Sequence, residues 1–93
     1  MKNNNITKEQ LCILEGLAYW RVETTEARNS EGGEADAERA EINFFNLYAD
    51  ALELAIPMDA IRAVYIWASD RRAYLTEYTW QVVERAGYRI IAG

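Results

Sequence analysis

Apolar positions recur along this chain with a helical period rather than an alternating one. Ile6, Leu11, Ile13, Leu14, Leu17, Ala18 and Trp20 share one broad face when residues are set about 100° apart, and Lys8, Glu9, Glu15, Glu23 and Glu26 lie opposite. The start of this face carries its own punctuation. Thr7 stands as an N-cap with Gln10 three residues on, and Ile6 and Leu11 flank them as a hydrophobic staple. The pattern predicts a helix over 7–28, broken by Asn29-Ser30-Glu31-Gly32-Gly33.

A second helix is predicted over 34–56. Its acids crowd the early turns, where carboxylates favour the positive end of the helix dipole. Arg39, Asn43, Asn46, Asp50 and Glu53 form a narrow polar stripe, and Phe44, Phe45, Leu47, Tyr48, Ala51, Leu52, Ala55 and Ile56 fill the rest. A helix apolar over more than half its circumference is expected to be central, with neighbours on two sides. Pro57 ends it, because the residue before a proline is pushed out of helical geometry.

A third stretch over 58–86 places Ile61, Val64, Ala68, Leu75, Val82 and Ala86 along one stripe, widened by Trp67, Tyr74 and Tyr78. It reads as one long helix or as two, with a break between 69 and 77, where Ser69-Asp70 and Thr76-Glu77 could each cap a restart. Gly87 suits a C-terminal cap with Tyr88 folding back on Val82 or Val83, and Arg89-Ile90-Ile91-Ala92 is a short apolar tail. Met1 to Asn5 reads as a frayed polar tail. The expected fold class is all-α: one domain, an antiparallel bundle of three or four helices.

Composition sharpens this picture. In 93 residues, 51% are apolar and 12% aromatic, a large load for a small monomer to hide. A dimer or higher oligomer is therefore expected. Cys12 is the sole cysteine, so an intrachain disulfide is excluded, and a reducing, cytoplasmic setting is expected. No segment reads as a signal peptide or membrane span. The net charge of −5 is concentrated in residues 23–59, which hold ten acids against two arginines. Such a lobe repels nucleic acid and anionic membranes and favours a basic protein surface.

The chain has no histidine, which removes the commonest general base and metal ligand and rules out Cys-His and Ser-His pairs. No catalytic residue, metal site or cofactor is expected. Carboxylates at i, i+3 spacing (Glu23/Glu26, Glu38/Glu41, Asp50/Glu53) suit Mg²⁺ or Mn²⁺ by donor type. In that spacing alone the chain resembles the all-helical nucleoside triphosphate pyrophosphatases, whose phosphate-holding lysines have no counterpart in it.

Two segments stand out as candidate surfaces. One is the acidic run Glu31, Glu34, Asp36, Glu38 and Glu41. The other is Arg71, Arg72, Tyr74, Tyr78 and Trp80, where arginines interleave with rings that could stack on a nucleotide or meet a partner. Ile66, Trp80, Tyr19 and Cys12 lie off the main stripes, as candidate interface residues. The function expected is a non-enzymatic interaction module. It would be an accessory protein or inhibitor of the phage or mobile-element kind, its acidic helix meeting a basic, nucleic-acid-handling complex. A small-ligand or nucleotide-binding bundle is the alternative, and a Mg²⁺-dependent nucleotide hydrolase the third.

Overall fold

A computed structural model describes residues 4–92. Five helices and two short strands run in the order β1 (Asn5–Thr7), α1 (Lys8–Arg28), α2 (Glu34–Glu53), α3 (Met58–Ala68), α4 (Arg71–Thr76), α5 (Thr79–Arg85) and β2 (Arg89–Ile91).

The capping box forms as the spacing predicts. The Gln10 amide donates to Thr7 Oγ1 at 3.1 Å, and Gln10 Oε1 accepts from the Thr7 amide at 2.9 Å. Gln10 reaches further still, donating from Nε2 to the Leu54 carbonyl at 2.9 Å. It thereby ties the start of α1 to the turn that ends α2.

The α1–α2 hairpin is the backbone of the molecule. Small residues set its closeness: α2 buries Ala37, Ala40 and Ala51, and a β-carbon placed on Gly16 of α1 would lie 2.7 Å from Leu47 Cδ1. Gly33 turns the chain so tightly that a β-carbon there would lie 2.1 Å from the Ala27 carbonyl oxygen.

The second helix stops earlier than its apolar pattern suggests. Ala55 takes φ 55°, and the Ile56 amide reaches back to the Ala51 carbonyl at 3.0 Å, so a left-handed cap closes α2 before Pro57. The 58–86 stretch is neither one helix nor two but three. Asp70 Oδ1 accepts from the Arg72 amide at 3.0 Å, restarting the chain as α4, and Gln81 Oε1 accepts from the Tyr78 amide at 2.8 Å, restarting it as α5. The two breaks rotate the stripe apart. Val64, Trp67, Ala68, Val82 and Val83 stay buried, whereas Leu75 and Tyr78 are each 69% exposed.

The apolar tail does not remain a tail. It forms β2, which pairs in parallel with β1 and sets Ile6 against Ile90. The reason is burial: Ile6 is completely enclosed, and its strand needs a backbone partner. The frayed segment expected at the start is therefore ordered at Asn4 and Asn5, Asn4 accepting from the Arg89 amide at 2.8 Å. Met1 to Asn3 lie outside the described residues.

The described residues are mostly helical, as the all-α expectation has it, and comprise five helices and two short strands. No helix among the described residues is long and apolar enough to cross a membrane. The core joins α1, α3, α5 and the strands through Ile6, Leu14, Leu17, Val64, Trp67 and Val83. The molecule measures 48 × 27 × 19 Å. Its thin dimension spans about two helix diameters of roughly 10 Å each. Among the described residues α1 is the main neighbour of α2, and no further layer covers its outer side.

Candidate interaction surface

Two apolar rows run along α2. Ala37, Ala40, Phe44, Leu47, Ala51 and Leu54 are buried or half-buried and turn toward the core. Ile42, Phe45, Ala49 and Leu52 repeat the same alternation of three and four residues on the other side. Ile42, Phe45 and Leu52 are 56%, 59% and 51% exposed. The expectation that α2 is central, with neighbours on two sides, fails within one chain. Its inner row packs, and its outer row faces solvent.

The outer row continues toward α3 through ring contacts. Phe44 meets Phe45 and Tyr65 edge-on, each with centroids 5.7 Å apart, and the Tyr48 hydroxyl approaches Met58 Sδ at 3.7 Å. Met58 and Tyr65 are exposed at this border. Arg21 lies over the Tyr65 ring with its guanidinium carbon 4.4 Å from the centroid, fixing the ring from the α1 side.

The acidic run sits at the open end of the same helix. Glu31, Glu34, Asp36 and Glu38 are exposed and Glu41 is half-buried. Arg28 answers Glu41 at 2.9 Å and Arg39 answers Asp36 at 3.7 Å. Glu31, Glu34 and Glu38 make no ion pair among the described residues. Gly33, the N-cap of α2, offers no side chain to the first-turn amides, which leaves Glu34 and Asp36 to meet the helix dipole.

The second candidate segment does not converge. Arg71 pairs with Glu26 of α1 at 3.0 Å and lines a groove with Thr25, Asn29 and Ser69. Tyr74 turns inward, its ring 5.2 Å from Trp67, and burial raises its hydroxyl above the usual tyrosine value, with Tyr19, Glu23 and Glu15 adding to the shift. Tyr78 and Trp80 stack on each other at 6.4 Å and 9° between planes. Tyr74 and Tyr78 line a separate groove with Glu15 and Thr79, and neither arginine enters it. Arginines and rings alternate in sequence, but the breaks at Asp70 and Tyr78 send them in different directions.

The paired carboxylates are dispersed as well. Glu26 is engaged by Arg71 and Glu41 by Arg28, and among the described residues no three acidic or cysteine groups gather closely enough to hold a metal ion. A further groove of about 520 Å³ lies between α3, α4 and α5, floored by Ala63, Ile66, Trp67 and Val82. The Glu77–Arg85 ion pair stands at its edge and holds the Glu77 carboxyl below its ordinary value, chiefly through the hydrogen bond. Trp67 Nε1 is buried without an acceptor among the described residues.

The outer row of α2 is the surface that sequence reasoning did not single out. A second set of apolar residues at i, i+3, i+7 and i+10, offset from the first, is its signal in the sequence. Compared with known proteins, the chain matches no family model, no curated protein and no solved structure.

Proposed function

We propose that this chain is a non-enzymatic protein-interaction module whose working element is α2. One observation carries the reading: the acids Glu31, Glu34 and Glu38 stand exposed at the end of a helix whose outer apolar row is also exposed. Carboxylates without an ion-pair partner among the described residues favour a basic partner by long-range attraction, and the adjacent apolar row marks the same helix as a surface for desolvated protein contact. A role as an accessory protein or inhibitor of a nucleic-acid-handling complex is the narrower form of this proposal. It rests on the acidic, histidine-free composition.

The test is calorimetric titration with a lysine-rich amphipathic helical peptide as the probe. Binding is expected to weaken as salt rises and to be lost in the triple variant Glu31→Gln, Glu34→Gln, Glu38→Gln. A control with the same net charge, Glu9→Gln, Glu15→Gln, Glu84→Gln, should bind like the unaltered protein. Equal loss in both triples would reduce the effect to net charge and overturn the reading.

A further inference from the structure

Four residues of the outer row, Ile42, Phe45, Ala49 and Leu52, form two a/d layers of a heptad on a helix that has no neighbour on that side among the described residues. The geometry points to a second copy of this chain as the occupant, with α2 packed antiparallel against α2 of the partner about a two-fold axis near residue 47. The inference rests on the reading of α2 as the interaction helix, and names what covers its apolar row.

Size complementarity supports this register. When residue i of one copy faces residue 94 − i of the other, Phe45 falls opposite Ala49 and Ile42 opposite Leu52. Each large ring then meets a small methyl, and all four row positions are used. Parallel, in-register pairing would set Phe45 against Phe45 instead.

Charge selects the same arrangement. Glu38 continues the outer row one step toward the N-terminus, and it is exposed. Parallel pairing would drive two Glu38 carboxylates together in the seam, where unpaired like charges are costly. In the antiparallel register Glu38 faces position 56, beyond the end of α2 at Glu53. On one flank the positions just outside the seam pair two residues off the facing register, i with 92 − i, so Arg39 comes abreast of Glu53 from the other copy, twice by symmetry, and Asn46 meets Asn46 beside the axis, where two amides can pair. Arg39 and Glu53 are both exposed in the single chain, and among the described residues Arg39 has only the 3.7 Å contact to exposed Asp36 to give up.

The pairing gives α2 the second neighbour that its circumference demands. It also leaves the acidic ends free. Glu34 lies 13 residues from the axis in each copy, so the two acidic ends stand about 40 Å apart at a rise of about 1.5 Å per residue. A dimeric basic partner could engage both.

Sedimentation equilibrium and chemical cross-linking test the inference, with circular dichroism as the check on folding. The unaltered chain should be a dimer. Phe45→Glu should raise the dissociation constant by at least about thirtyfold, the loss expected for a central anchor, while the helical signal is kept. Arg39→Glu should weaken the dimer, and adding Glu53→Arg should restore it.

Orientation is read in a Cys12→Ser background with a short bis-maleimide. An equal mixture of Arg39→Cys and Glu53→Cys should cross-link between the two variants and not within either one. Cross-linking of each variant to itself would mean parallel pairing and overturn the register. A folded monomer at high micromolar concentration, or a dimer indifferent to Phe45→Glu, would overturn the pairing itself. The peptide titration is independent of these outcomes: a monomer that still binds the cationic probe through Glu31, Glu34 and Glu38 sinks the dimer and leaves the acidic-end reading standing.

Discussion

Ala55 and Gly87 hold the same position in two equivalent turns. Each follows a helix in the left-handed region, at φ 55° and 101°, and each is followed by a residue whose amide reaches back five positions: Ile56 to Ala51 at 3.0 Å, Tyr88 to Val83 at 3.2 Å. Glycine takes this conformation freely. A β-carbon there crowds the following carbonyl and costs about 1 kcal/mol. The strain at Ala55 is held by burial of Ile56 and Ala51 on either side of the turn. Ala55→Gly should therefore stabilise the protein by about 0.5–1 kcal/mol, raising the melting temperature by roughly 2–8 °C for a domain of this size. Calorimetry on the two proteins decides it, and an unchanged or lowered midpoint would contradict the account.

Gly32 and Gly33 separate two different reasons for a glycine. Gly32 has φ 75° and open space around its α-carbon, whereas Gly33 has an ordinary φ but would place a β-carbon 2.1 Å from the Ala27 carbonyl oxygen. Gly32→Ala is a matter of local conformation and should cost about 1–2 kcal/mol. Gly33→Ala forces the hairpin backbone apart and should cost roughly 1–3 kcal/mol or more, with loss of register between α1 and α2. Urea unfolding gives both values, and the expected order is Gly33→Ala below Gly32→Ala.

Local signals were the legible part of this fold. Thr7 with Gln10 and Gly87 with Tyr88 each depend on residues within five positions, and each forms. Signals that must compete were not. Leu75 continues a regular stripe on paper, yet Asp70 captures the Arg72 and Ala73 amides and Gln81 captures the Tyr78 amide, so the helix restarts twice and Leu75 turns to solvent. Pairing of Ile6 with Ile90 links the two ends of the chain, and no periodicity within either segment encodes it. The Arg71–Trp80 cluster dissolved for the same reason as the stripe. For α2, the sequence shows an apolar outer row but not what it meets.

Gln10 serves both ends of the hairpin at once. Its Oε1 closes the cap of α1, while its Nε2 donates to the Leu54 carbonyl at the turn after α2. Gln10→Ala removes both bonds and should cost about 1–3 kcal/mol. Gln10→Glu retains an acceptor for the Thr7 amide and adds charge at the favourable end of the dipole, but it has no proton for Leu54. Its cost should be smaller than that of alanine and should grow in high salt as the dipole contribution is screened. Denaturation at two ionic strengths distinguishes the variants, and equal losses would show that the bond to Leu54 carries the whole effect.

Tyr88 predicts how the fold responds to alkali. The residue is 4% exposed, and its hydroxyl donates to Asp59 across the seam between the last turn and α3. Burial first, then the bond to Asp59 and its negative charge, push the phenol up to about 12 from an ordinary value of 10.0. A folded-state value above the unfolded one means that the neutral phenol is what the native state prefers. Its contribution is thus fully present below pH 10 and is lost as pH rises from about 10 toward 12. Stability should fall through that window, in step with ionisation seen in the ultraviolet as tyrosinate. In Tyr88→Phe this group's part of the fall should vanish, and stability at neutral pH should drop by roughly 1.5–3 kcal/mol, the range for a hydrogen bond to a charged acceptor. If Tyr88→Phe keeps the same alkaline slope as the unaltered protein, the seam between Asp59 and Tyr88 is not what alkali opens.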